Sequence, residues 1–160
     1  MKKGSTIFLR VVIYILGLSV LAFCIFALPV ITRGAAAEFP PIAPLREAIL
    51  FGLWVTSIPF FTALYQALKL LSYIDKNTAF SELSVTALRR IKYSAFTMTG
   101  LYMLGMPVAM LVAEWDDAPG LIPISFLAAC TPIVIAVFAA VLEKLVQSAI
   151  DLKSENDLTV

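Results

Sequence analysis

Four long stretches free of charged residues divide the chain: 11–32, 48–68, 93–113 and 118–142. A helix rises ~1.5 Å per residue, so crossing a hydrocarbon core of ~30 Å takes about 20 apolar residues. Each stretch meets that length, and none shows the short alternating segments of a transmembrane β-barrel. The pattern predicts an all-α, polytopic membrane four-helix bundle in one domain, residues 1–160, with spans at about 8–32, 47–71, 92–113 and 119–142. Outside the spans the pattern turns amphipathic. Leu83, Ala87, Leu88 and Ile91 share one helical face that Arg89, Arg90 and Lys92 avoid. Helix 3 is therefore expected to begin near residue 81, with Ser81 as N-cap and Glu82 suiting the helix dipole, and to run unbroken into its span. Leu142, Leu145, Val146, Ala149 and Ile150 recur at intervals of three and four, which carries helix 4 on to about residue 153. Helices 2 to 4 thus extend into a small platform on one side of the membrane.

Charge decides which side. Lys2, Lys3 and Arg10, then Lys69, Lys76, Arg89, Arg90 and Lys92, then Lys144 and Lys153 place ten of the twelve basic residues on one side. Only Arg33 and Arg46 lie on the other, where the third connection carries Glu114, Asp116 and Asp117. The positive-inside rule puts both termini and the second connection in the cytoplasm. A cleaved signal ending at Ala35-Ala36-Ala37 is the rival for the first span. Its apolar run is too long for a signal peptide and Arg33 interrupts the approach, so a retained anchor is preferred. Composition agrees with lipid as the solvent. Hydrophobic residues make up 61% and charged residues 14% of 160, and the mean hydropathy is +0.94, whereas soluble domains hold about 45–50% and about 25%.

Each span contains a proline: Pro29, Pro59, Pro107 and Pro132. A mid-helix proline removes a backbone hydrogen bond and bends the axis, so these positions are candidate kinks around a cavity open to the outside. Small residues four apart (Ala63/Ala67, Ala109/Ala113, Ser125/Ala129, Ala136/Ala140) are suited to close helix contacts. On the outer side the proline-rich run 39–44 reads as a stiff extended segment. Glu114 to Pro119 reads as an acidic turn with Trp115 at interfacial depth, better suited to solvation than to calcium.

Candidate chemistry within the bilayer is sparse. The chain has no histidine and its charge-free stretches hold no ionisable carboxylate or amine, with Glu47, Glu114 and Glu143 all at span ends; such a buried group is the usual marker of proton-coupled transport. Cys24 and Cys130 are isolated in apolar runs, and Ser57, Ser125 and Thr131 have no base to activate them. No enzyme, cofactor or metal site is expected, and a small transporter is the least favoured reading. The distinctive residues gather on the inner side. Ile74-Asp75-Lys76, Ala79-Phe80-Ser81, Leu88 and Ile91, together with the terminal Glu155-Asn156-Asp157-Leu158-Thr159-Val160, resemble an uncharacterised family of small four-span bacterial membrane proteins, the YoaS-like group. The resemblance covers nearly the whole chain, although Val160 stands where isoleucine is common. It implies no catalytic residues. It does imply a gene neighbour, a small Cro/CI-like helix-turn-helix regulator.

The expected function is accordingly a non-enzymatic regulatory or scaffolding protein that binds a small cytoplasmic partner, such as that regulator. Phe80, Ser81, Arg89, Arg90 and the tail Glu155, Asn156, Asp157, Leu158, Thr159 and Val160 are the candidate contacts. The tail would add a strand to a partner sheet or fill a groove. The basic cluster Arg89/Arg90/Lys92 also suits anionic headgroups. A homo-oligomer is compatible with the spans, and direct nucleic-acid contact is not expected. The alternative is an immunity or sensing protein for a peptide or small hydrophobic compound.

Overall fold

The computed structural model describes residues 3–159; Lys2 of the basic N-terminus and Val160 of the tail motif lie outside the described residues. It is helical almost throughout, with no strand among those residues. α1 (Lys3–Ala22), a π-helical turn (Phe23–Ala27) and α2 (Leu28–Glu38) form the first span. A 3₁₀ segment (Pro40–Leu45) leads into α3 (Arg46–Asp75), followed by α4 (Glu82–Trp115) and α5 (Leu121–Leu158). Four helical units are long and apolar enough to cross a membrane, as the charge-free stretches predict. α5 has 38 residues and so measures about 57 Å, nearly twice a ~30 Å hydrocarbon core. It must project well beyond the lipid.

The helices pack in chain order. α5 lies along α4 in the most extensive pairing, α3 lies along α4 in the next, and the first span rests more sparingly on α3. Among the described residues the first span makes no comparable contact with α5, so the bundle is an open row of antiparallel neighbours. The α4–α5 contact follows from small side chains. Ala129, Pro132, Ala136 and Ala139 are buried at alternating intervals of three and four, the seam of a left-handed helix pair. Because this α5 stripe holds nothing larger than proline, α4 can pack closely along it, which replaces the missing hydrophobic drive in lipid by dispersion contact. On α4, Val85, Leu88 and Ala95 are buried. Among the predicted small pairs, the seam takes Ala129 and Ala136. Where the first span meets α3, a side chain at Gly17 would come within 3.4 Å of Leu64.

The prolines differ in their effects. Pro59, Pro107 and Pro132 lie inside helices that continue through them. Thr56 and Thr131 donate hydroxyl protons to the carbonyls four residues back, Gly52 and Leu127, in the turns ahead of Pro59 and Pro132. Pro29 is different. Ahead of it the ladder widens, and the Leu28 N–H turns to the Phe23 carbonyl five residues back. Residue 29 would be the next donor in that register, for the Cys24 carbonyl, but proline has no N–H. The Trp54 indole of α3 donates to that carbonyl at 3.0 Å. The run at 39–44 also departs from expectation. It forms a 3₁₀ turn that buries Ile42, since the φ of proline suits 3₁₀ as well as extended backbone.

Trp54→Phe keeps the aromatic volume and leaves the Cys24 carbonyl without a donor, which is expected to cost about 1–3 kcal/mol. In a Pro29→Ala background residue 29 regains its N–H, and the same substitution should cost clearly less. Unfolding in detergent micelles, run as a double-mutant cycle, checks both.

Candidate functional site

The end of the molecule that carries both termini is where polar residues organise the helices. α3 stops there through a Schellman motif. Asn77 adopts a left-handed conformation with φ 57°, the Thr78 N–H bonds the Tyr73 carbonyl at 2.8 Å, and the Asn77 N–H bonds that of Ile74 at 3.1 Å. Asparagine tolerates that conformation better than other residues with a Cβ. Asp75, one residue from the stop, pairs with Arg10 of α1 at 2.7 Å and ties the first span to α3. Asp117 ends α4 at the opposite end in a similar way, with φ 49° and the Ala118 N–H on the Ala113 carbonyl. At least one acid of that turn therefore has a conformational task.

The start of α4 departs from the simple capping scheme. Ser81 has the extended backbone of an N-cap but makes no side-chain cap. Its hydroxyl donates to the Thr78 carbonyl at 2.8 Å, and Ser84 reaches the same carbonyl at 3.5 Å. The buried stripe is also rotated from the predicted one. Ser84, Val85, Ala87 and Leu88 face inward while Leu83 is exposed. Phe80 is 68% exposed, held out by the closed turn on either side of it.

The basic cluster is divided. Arg89 Nε and Lys92 Nζ both bond the Glu143 carboxylate of α5, at 2.8 and 2.7 Å. Glu143 sits just past the charge-free part of α5 with its side chain only 12% exposed. The Lys92 hydrogen bond holds this carboxyl below the usual carboxylate range; burial opposes that shift and Arg89 reinforces it. Arg89 and Lys92 are therefore engaged within the fold, while Arg90 and Lys144 are exposed. Further along, Gln147 bridges Glu82 of α4 and Asp151 of its own helix, each at 3.2 Å. Past this point α5 outruns the α3–α4 turn, and residues 151–159 are all exposed.

The tail is helical rather than β-prone, continuing past residue 153 to Leu158. Thr159 ends it by donating its hydroxyl to the Glu155 and Asn156 carbonyls. The Thr159 side chain is thereby engaged in capping, and Glu155 and Asn156 contribute only their carbonyls, whereas Leu158 is 84% exposed. Among the described residues no hydrogen bond or ion pair joins the tail to Phe80, Ser81 or Arg90, so the structure gathers the predicted contacts at one end as separate features. The roles of Arg10, Glu143 and Gln147 escaped the sequence pattern. Arg89 and Lys92, three apart at a span boundary and facing one acid at the start of the other helical extension, carried the available signal.

A second feature lies within the bilayer region. Phe23, Cys24, Leu28, Leu53, Ser57 and Tyr102 are among the residues lining a mostly apolar cavity of about 200 Å³ between the first span, α3 and α4. It adjoins the turns carrying Pro29 and Pro59. Pro107 is exposed and Pro132 is buried in the α4–α5 seam, so the four prolines do not converge on one cavity.

Comparison with known proteins fits this architecture. The family model described as "Protein of unknown function (DUF2975)" matches residues 30–160. The "Uncharacterized membrane protein YoaS" of Bacillus subtilis (strain 168) is 55% identical over 160 residues, covering 100% of both chains. No solved structure matches. With four apolar helical units and a full-length membrane relative, the chain is a multi-pass membrane protein.

Because the folded-state pKa of Glu143 is depressed, its contribution to stability is complete above the ordinary glutamate range of about 4.3 and is lost as pH falls through the depressed value. Glu143→Gln should remove that acid-dependent loss and loosen the α4–α5 extension at neutral pH. Unfolding midpoints between neutral and strongly acidic pH, wild type against variant, read it out.

Proposed function

Since the chain belongs to the DUF2975 family, whose description names no activity, we propose a function from its own surface: a non-enzymatic regulatory or scaffolding protein of the bacterial cytoplasmic membrane. In this reading both termini are cytoplasmic, in keeping with ten of twelve basic residues on that side. The partner is a small cytoplasmic protein, a helix-turn-helix regulator, and the membrane protein itself does not touch DNA. The observation that supports this best is the helical projection of α5 beyond the α3–α4 turn, with Leu158 exposed at 84% and Phe80 at 68%. Large apolar side chains held outside the lipid on a braced helix are suited to a groove in a partner, the helix-in-groove mode rather than strand addition. Exposed Arg90 and Lys144 meet anionic headgroups at the membrane boundary, each contributing about 1 kcal/mol. The projection is thereby held upright over the membrane surface.

The apolar cavity favours a second reading, sensing or immunity toward a small hydrophobic compound. Its volume of about 200 Å³ exceeds the ~150 Å³ that suffices for a benzene-sized guest. Proton-coupled transport has no support from the charge-free spans.

Affinity capture of the full-length protein from native membranes should recover the regulator. Leu158→Glu and Phe80→Ala should each reduce that recovery strongly while leaving membrane insertion intact. Failure of the wild-type protein to recover any DNA-binding regulator overturns the proposal.

A further inference from the structure

α5 carries two heptad stripes, and the fold uses one. The stripe through Ala129, Pro132, Ala136 and Ala139 is buried on α4. One position behind it, about 100° around the helix, runs Phe138, Leu142, Leu145, Ala149, Leu152 and Asn156, again at strict intervals of four and three. None of these six is buried: Phe138, Leu142, Leu145 and Leu152 are 64, 47, 60 and 67% exposed. Lipid covers the first two of them. It does not cover Leu152, which lies nine residues, about 13 Å, past Glu143.

We propose that this second stripe is the contact between two copies of the chain, forming a parallel coiled coil of two α5 helices that begins in the membrane and continues into the water beyond it. Three observations select a second copy as occupant. The stripe is continuous across the lipid boundary, so the helix covering it along its length must also cross the bilayer and emerge on the same side. The α5 of another copy does both in matching orientation. Next, the heptad puts Asn156 at an a position, with Leu145 and Leu152 at d. A single asparagine at a meets its own copy across a two-fold axis, and there it sets register and favours the two-stranded state. Finally, the flanking e and g positions beyond the membrane are Val146, Ser148, Lys153 and Glu155. In a parallel pair Lys153 faces Ser148 of the other copy, so no like charges oppose one another. Leu158 falls outside the stripe, so the dimer presents two copies of that side chain. This inference does not require the cytoplasmic regulator.

Disulfide trapping tests it in the full-length protein, with Cys24 and Cys130 replaced by alanine. Leu152→Cys and Asn156→Cys, on the stripe, should form disulfide-linked dimers as the main product in membranes and in purified proteoliposomes. Ser154→Cys, on the opposite face, should give only traces. Native mass spectrometry of the unmodified protein should show twice the 17.4 kDa monomer mass, and Leu152→Glu should return it to monomer. Equal trapping at all three positions, a monomer in native spectra without trapping, or trapping only at Ser154→Cys overturns the proposal. Because proteoliposomes contain no other protein, failure here leaves the regulator proposal standing, and failure of regulator capture leaves this one standing.

Discussion

Close contact between α4 and α5 is the constraint on which the rest of the molecule depends. Lipid supplies no hydrophobic drive for helices to associate, so the pair is held by the small residues that let two backbones come together, Ala129, Ala136 and Ala139. That alignment continues beyond the membrane, and it brings Glu143 within reach of both Arg89 and Lys92. The ion triad and the Gln147 bridge then hold the two extensions in register where apolar packing thins out. Without the seam the carboxylate would have no shared partners, and the projecting end of α5 would have no base.

The same economy governs the backbone. A carbonyl without a donor is costly inside a bilayer, where no water can replace it, so an irregular turn persists only where another group repairs it. The π turn ahead of Pro29 survives because Trp54 lies opposite Cys24. At the ends, where water is available, Asn77 and Asp117 take up left-handed backbone and close the chain reversals. In the acidic turn at 114–119, Asp117 is thus a conformational device.

The spans and the helical extensions of α4 and α5 are legible in the sequence because lipid thickness imposes one length and helical geometry one period. Which face of α4 turns inward is less legible. Leu83 suits burial better than Ser84 on hydrophobicity, yet Ser84 is buried near the Thr78 carbonyl and Leu83 faces outward, because packing against neighbouring helices and not local hydrophobicity selects the face. The division of Arg89, Arg90 and Lys92 also depends on contact with a residue some fifty positions away, which no local pattern contains. The tail looks β-prone by composition. It is helical because it continues a helix already nucleated over its long upstream length, where each added residue costs little.

The open row leaves the first span unlike the others. Arg10 holds it to Asp75 at one end and the Trp54 indole holds it near its middle, while most of its large apolar side chains face outward. Lipid tails can replace nearly every contact it makes with α3. Detaching it therefore sacrifices little beyond two side-chain bonds, whereas separating α4 from α5 dismantles the seam. The first span is the low-energy exit of the fold, the segment whose departure sets the molecule's earliest sub-global opening.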